Sequence, residues 1–274
     1  MSGSYDFVIA DVFTDTALTG NQLAVFLDGD AVPEALRQPL AKEIGFSETV
    51  YVLADDHVRI FTPATELPFA GHPVLGTAYA IASERGVDAV ELITKQGAVA
   101  LTFDAHGRGR MQQPLPTIEP WGGDVAALLG ALGVDASLQP IDLYYNGVPH
   151  LYVVLDSVDT VAGLRPDFSR LGSVAPTEGV NCIAGAGEQW KSRMFGTGLG
   201  MNEDPATGSA AGPLAVHLCR YGLVPWGTEI TITQGVEIGR PSTLYAVARG
   251  SDAGLDAVEV AGDTVVVGRG TFQL

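Results

Sequence analysis

Positive charge is scarce in this chain. It carries 15 Lys and Arg against 32 Asp and Glu, a formal net charge of −17 at pH 7. A surface of that sign cannot neutralise phosphates, which argues against nucleic acid or an anionic membrane as a partner. It leaves room for a small anionic substrate, because one local site can oppose the field of the whole. Cysteine is scarcer still, with Cys182 and Cys219 the only two. They form no Cys-x-x-Cys pair and no Cys/His cluster of zinc spacing, so two buried thiols are expected. No apolar run reaches the length of a membrane span. The N-terminal MSGSYDFVIADVF has no basic segment ahead of its strand-like pattern, and a cytoplasmic protein is the expectation.

Nucleotide motifs are lacking too. The run at 196–200, GTGLG, has Met201 where the third glycine of a dinucleotide fingerprint belongs. Ser209 is flanked at the critical positions by Thr207 and Ala211 rather than glycines, so it does not stand in a nucleophile elbow. There is no Gly-Lys-Ser/Thr phosphate loop, and no zincin or EF-hand pattern. Nothing supports NAD, ATP or a metal, and the expected cofactor is none.

What is present is apolar and β-rich. The chain has 274 residues, 46% hydrophobic and 17% charged, enough for one large domain or two smaller ones with their own cores. Strands are expected at 5–13, 22–27, 49–53, 58–62, 90–94, 98–103 and 141–145, then at 151–155, 191–195, 229–234, 243–249, 257–261 and 264–267. Helices are expected at 33–44, stopping at Gly45, and 124–132, stopping at Gly133. Two more, 72–85 and 207–221, stop at Gly86 and Gly222. Their early turns, PVLGTAYAIA and SAAGPLAVHL, are apolar or small almost all round, which marks buried helices. Pro213 lies inside the second, so a kink or a later start is foreseen there.

These two helices expose a duplication. Gly71 answers Gly208 and Ala78 answers Ala215, 137 positions apart in each case, half the chain. Arg59-Ile60-Phe61 resembles Arg193-Met194-Phe195 at nearly that separation. The period is too long for a solenoid. An α+β chain of two pseudo-symmetric domains follows, each a curled, β-barrel-like sheet around a central helix. The proline-rich segment at 113–120 is the candidate linker, dividing the chain into 1–117 and 118–274.

Both buried helices begin in loops of small residues, around Gly71-His72 and Gly208-Ser209. Open amides at a helix start, with the helix dipole, suit an anion. Two such starts across one cleft would suit a carboxylate; packed helix caps, with Asp204 as an N-cap, are the structural alternative. His72, in a first turn, is either a neutral proton relay or a structural loop cap. Glu48 opens the strand Glu48-Thr49-Val50-Tyr51-Val52 on the face of Val50 and Val52. It is either a rim glutamate or a buried acid that holds its proton more tightly and suits general acid/base work.

Phe46-Ser47-Glu48-Thr49, Leu67-Pro68-Phe69-Ala70-Gly71-His72-Pro73 and Glu203-Asp204-Pro205-Ala206-Thr207-Gly208-Ser209-Ala210-Ala211-Gly212 together resemble the phenazine-biosynthesis PhzF family. Asp11-Val12-Phe13 with Gly20-Asn21, and the run from Gln234 to Ser242, belong to the same ordered set, which spans essentially the whole chain. Tyr145-Asn146-Gly147, Met111-Gln112-Gln113-Pro114, and Gly185-Ala186-Gly187 with Trp190, Arg193 and Met194 look like the phenazine enzyme itself. One departure is Gln22, where the family commonly has proline after Gly-Asn; it puts the local turn geometry in question.

The resemblance implies a diaminopimelate epimerase-like fold with Gly71-His72 and Gly208-Ser209 where such epimerases keep a cysteine pair, which disfavours two-thiol racemisation. It implies an isomerase of trans-2,3-dihydro-3-hydroxyanthranilate, in which Glu48 takes a proton from C3 and delivers one to another ring carbon. Glu48, His72 and Asp204 would be catalytic. Ser209 would hold the substrate carboxylate, with Gly71, Gly208, Gly212 and Asn21 lining the substrate. The family typically forms homodimers. Alternatives are a related cofactor-independent isomerase or epimerase of another amino-acid-like or cyclic carboxylic acid, and a non-enzymatic binding protein on the same fold.

Overall fold

A computed structural model describes residues 3–196 and 201–274; residues 197–200, most of the run rejected above as a dinucleotide fingerprint, lie outside the described residues. The fold is mixed α+β, and the chain forms two compact units, Met1–Gln112 with Ala261–Leu274 and Gln113–Val260. The first contains β1 (Ser4–Val12), β2 (Asn21–Phe26), α1 (Glu34–Ile44), β3 (Glu48–Val52), β4 (Val58–Phe61), β5 (Glu66–Leu67), α2 (Gly71–Arg85), β6 (Ala89–Thr94), β7 (Gly97–Phe103) and β8 (Gly109–Gln112). The second contains β9 (Thr117–Pro120), α3 (Val125–Leu132), β10 (Asp142–Tyr145), β11 (Pro149–Val154), α4 (Val158–Gly163), α5 (Phe168–Val174), β12 (Gly179–Ala186), β13 (Gln189–Phe195), α6 (Gly208–Arg220), β14 (Glu229–Gln234) and β15 (Ser242–Ser251), and carries most of β16 (Gly254–Gly262). The closing strand β17 (Thr264–Gln273) belongs to the first unit.

In the first unit the strands run β17-β1-β2-β3-β4-β5, and β6, β7 and β8 form an antiparallel meander. The β2–β3 pair is parallel, which obliges the chain to cross over, and α1 supplies the crossover. Helix α1 starts after Pro33 and ends at Gly45, whose φ of 71° is the left-handed stop that glycine allows. Helix α2 packs against β1, β2, β3 and β17 and also against β6, β7 and β8. Strands surround it, which is why its first turns carry no polar face. Gly76 makes the fit possible: a β-carbon there would stand 2.6 Å from Val12 Cγ2 and 2.7 Å from Leu23 Cδ2.

In the second unit the order is β16-β15-β14-β13-β12-β11-β10-β9, with parallel pairs at β11–β12 and β13–β14. Helix α6 packs on β11, β14 and β15. Pro213 neither starts nor ends it; α6 runs through from Gly208. A proline at 213 cannot donate to the Ser209 carbonyl one turn back, and that carbonyl instead accepts from Asn146 Nδ2 at 3.0 Å. A second core of Leu128, Leu132, Leu151, Val153, Leu171 and Phe195 lies between α3, α5 and the sheet. Cys182 and Cys219 are buried free thiols. Burial pushes Cys219 up to about 11 and Cys182 higher still.

The structure departs from the sequence expectations in identifiable places. The proline-rich 113–120 is half strand: β9 pairs with β10 from Asp142↔Pro120 to Tyr145↔Thr117. It stands at the end of the strand order, where a missing N–H is tolerated. Residues 261–274, placed by the 117/118 division with the second half, are packed in the first unit. The cause is β17, which pairs with β1 from Ser4↔Gln273 to Val12↔Thr264, a ladder between chain ends that leaves no local signal. Strand β12 was missed because GVNCIAGA is small-residue rich. The short helices α4 and α5 hold too few residues to show a period, although Ser157 and Asp167 cap them through the amides of Thr160 and Arg170. Among the described residues no helix is long and apolar enough to cross a membrane.

Candidate active site

Glu48 enters β3 opposite Leu23 of β2, and every residue of that strand is buried. The glutamate is 8% exposed and His72 4%, so Glu48 is a buried acid rather than a rim residue. Its Oε2 stands 3.3 Å from His72 Nε2. On the other side of the ring, His72 Nδ1 lies 3.3 Å from the Asn21 side-chain amide. Burial, opposed by a contact with the Gln22 backbone, holds His72 down at about 3. The imidazole is therefore neutral, and its contact with Glu48 is a close approach rather than an ion pair, with His72 Nε2 making no hydrogen bond among the described residues.

The surrounding loop is tied down locally. Asp11, 1% exposed, accepts the Leu18 N–H at 2.7 Å, which holds the 13–20 loop ahead of Asn21. Gln22 sits in plain antiparallel register with Asp11, after the turn that Gly20 makes at φ 69°. Replacing the family's proline therefore leaves a regular strand start.

The second unit holds the other group. Asp204 Oδ2 accepts from the Thr207 hydroxyl at 2.6 Å. Gln234 braces that loop: its Nε2 donates to the Asp204 carbonyl at 2.8 Å and to Thr207 Oγ1 at 2.9 Å, and its Oε1 accepts the Thr207 N–H at 3.3 Å. Glu203 is gripped by Arg193 through Nε at 2.9 Å and Nη2 at 2.7 Å. Asp204 is thus flanked by a fixed residue on one side and a braced turn on the other. It is not an N-cap: Thr207 holds that position in α6 and Ala70 in α2, and neither gives its helix a side-chain cap. The first-turn amides of both helices are left without that partner, as an anion site requires.

Gly212 serves close approach, and the Gly208 carbonyl is held by a side chain. Gln113 Nε2 donates to the Gly208 carbonyl at 2.8 Å, and a β-carbon at 212 would stand 2.3 Å from Gln113 Oε1. Ser209 Oγ lies 3.0 Å from His150 Nε2.

Residues 10–270 match the family model described as Phenazine biosynthesis-like protein. The chain belongs to this family. Trans-2,3-dihydro-3-hydroxyanthranilate isomerase of Pseudomonas fluorescens is 45% identical over 98% of this chain and 100% of its own length. The crystal structure of a Bacillus anthracis phenazine biosynthesis protein of the PhzF family superposes with a TM-score of 0.88 at 24% identity, covering 99% of each chain. A hydroxyproline epimerase from Agrobacterium vitis gives a TM-score of 0.61 at 13% identity over 99% of this chain and 93% of its own. That likeness speaks for an epimerase-like fold alone.

Within the Phenazine biosynthesis-like family fold, the sequence-derived residues fall into two local groups. Glu48, His72, Asn21 and Gly71 gather in the first unit, and Asp204, Gly208, Ser209 and Gly212 in the second. Sequence reasoning missed His150, which touches Ser209, and left the bracing parts of Gln113, Asn146 and Gln234 unassigned. The signal for the last three was their place in family-like runs. His150 carried none, since a lone histidine in an apolar strand reads as core.

Proposed function

We propose that this chain is an isomerase that converts trans-2,3-dihydro-3-hydroxyanthranilate to its aminoketone tautomer, with Glu48 as the acid/base and no cofactor. The observation that carries this reading is the buried Glu48–His72 contact at 3.3 Å, in a chain 45% identical to a trans-2,3-dihydro-3-hydroxyanthranilate isomerase.

The Glu48 carboxylate takes the proton at C3. The electrons of that C–H bond move into the diene, and the proton is returned to another ring carbon. The resulting enol becomes a ketone, so the composition of the substrate is unchanged. A neutral His72, with its Nε2 3.3 Å from Glu48 Oε2, packs beside the carboxylate and limits which oxygen faces the ring. Asp204, oriented by Thr207, acts in proton relay and substrate orientation. Ser209 and the first amides of α6 take a carboxylate, where a helix start favours negative charge. On this reading the enzyme works in the cytoplasm as a homodimer, which light scattering on the purified protein would test.

Glu48→Gln keeps size and hydrogen bonding and removes the base. We expect turnover, followed as loss of the diene absorbance, to fall by about a hundredfold or more; full turnover by that variant overturns the mechanism. Incubation of the wild type in deuterated water, read by mass spectrometry, locates the protonated carbon. Deuterium entering another ring acid but not this one would move the assignment to a related substrate.

A further inference from the structure

Ser209 is the one polar side chain in the first turn of α6, and its partner is a histidine that nothing above uses. His150 lies on β11 and is completely buried. Its Nε2 stands 3.0 Å from Ser209 Oγ, and its Nδ1 stands 3.5 Å from Asn181 Nδ2. A serine, a histidine and a side-chain amide in line suggest nucleophilic catalysis at first sight. The hydrogen positions decide otherwise.

Asn181 Nδ2 donates to two backbone carbonyls, Leu151 at 3.1 Å and Gly179 at 3.1 Å. Only an NH₂ group can donate to two carbonyls, so the amide orientation is settled by the backbone and the atom nearest His150 Nδ1 is a donor nitrogen. A protonated Nδ1 would press N–H against N–H, so Nδ1 carries the lone pair. In a neutral imidazole the hydrogen then sits on Nε2, facing Ser209 Oγ. Burial keeps His150 neutral, at about 3.

We infer that His150 is a positioning residue that donates its Nε2 hydrogen to Ser209 Oγ and thereby commits the serine hydroxyl to act as a hydrogen-bond donor to the substrate carboxylate. With its oxygen occupied by the imidazole hydrogen, Ser209 must send its own hydrogen elsewhere. In the reaction proposed above, on which this inference rests, the acceptor is the substrate anion. The same tautomer removes the base that a nucleophilic serine needs, because no lone pair at Nε2 faces the hydroxyl. The Ser209 carbonyl is held separately by Asn146 at 3.0 Å, so side chain and backbone of this residue are each fixed by a different donor.

Two measurements test this. Nitrogen-15 NMR of histidine-labelled protein reports the tautomer of His150 without any substrate, the resonance being assigned by its loss in His150→Phe. An unprotonated Nδ1 and protonated Nε2 are expected, unchanged between about pH 6 and pH 8; a hydrogen on Nδ1 overturns the inference. In kinetics on the dihydroanthranilate, Ser209→Ala and His150→Phe are each expected to raise KM about tenfold with kcat little changed, as for loss of a hydrogen bond to a charged group. His150→Gln, which keeps a donor amide, should recover most of the affinity. The double variant His150→Phe/Ser209→Ala should be no worse than Ser209→Ala alone. Additive losses, or a His150→Phe defect confined to kcat, overturn the inference. If the wild type does not consume the dihydroanthranilate at all, the proposed function fails while the NMR result still decides the tautomer.

Discussion

The Asn146–Ser209 bond can be tested by giving its carbonyl a second donor. Asn146 is 4% exposed, and its Nδ2 donates to the Ser209 carbonyl at 3.0 Å. Pro213 is the reason the carbonyl needs this help, since position 213 has no N–H to close the helical bond. Asn146→Ala leaves a buried carbonyl without its donor, a cost of about 1–3 kcal/mol. Pro213→Ala restores a peptide N–H one turn beyond Ser209. In that background Asn146→Ala should cost less than half as much, because the helix now satisfies the carbonyl itself. Urea denaturation of the four proteins in the cycle gives the coupling directly from the midpoints, provided the slope is constant. A coupling of about 1 kcal/mol is expected. Equal costs of Asn146→Ala in both backgrounds would refute the idea that Asn146 replaces the bond that Pro213 removes.

Stability should fall in acid well before most carboxylates protonate. Burial holds His72, His150 and His217 at about 3, against an ordinary 6.5. Below about pH 6.5 the unfolded chain binds protons that the folded chain refuses, so the contribution of each neutral histidine is full above that pH and is lost as pH falls toward 3. Each adds a slope of up to about 1.4 kcal/mol per pH unit in that window; a urea midpoint that stays constant from about pH 7 to pH 5 would contradict this. Gly76→Ala should destabilise by about 1–3 kcal/mol through overpacking, since its β-carbon would meet Val12 Cγ2 at 2.6 Å and Leu23 Cδ2 at 2.7 Å. A melting temperature equal to or above that of the parent would show that α2 can move off the sheet without penalty.

The candidate site was legible to the extent that its residues sat in short runs with an unusual composition. Phe69 to Pro73 and Asp204 to Ser209 stand out as small-residue loops before apolar helices, and both proved to be helix starts with no side-chain cap. Glu48 was ambiguous by itself, because a glutamate at a strand start reads equally as rim or interior; the order of the family-like runs singled it out, and the pairing of β3 within the sheet buries it. His150 and Asn181 were not legible at all. They lie in strands whose neighbours are apolar, and their meaning comes from a parallel pairing, His150↔Gly179, between segments joined by two helices.

Sequence by itself determined the class of the fold, the two buried helices and their glycine stops, the half-chain duplication and the family. Each of these is written in local composition or in runs repeated at a recognisable distance, and local physics reads them the same way wherever the chain goes. Tertiary structure alone decided that 261–274 returns to the first unit, that the proline-rich segment ends as an edge strand, and that α6 continues through Pro213. It also decided which nitrogen of His72 faces Glu48. Those outcomes depend on ladders and hydrogen bonds between residues far apart in the chain, such as β1 with β17 or Asn146 with Ser209. Neither partner in such a pair carries a mark of the other.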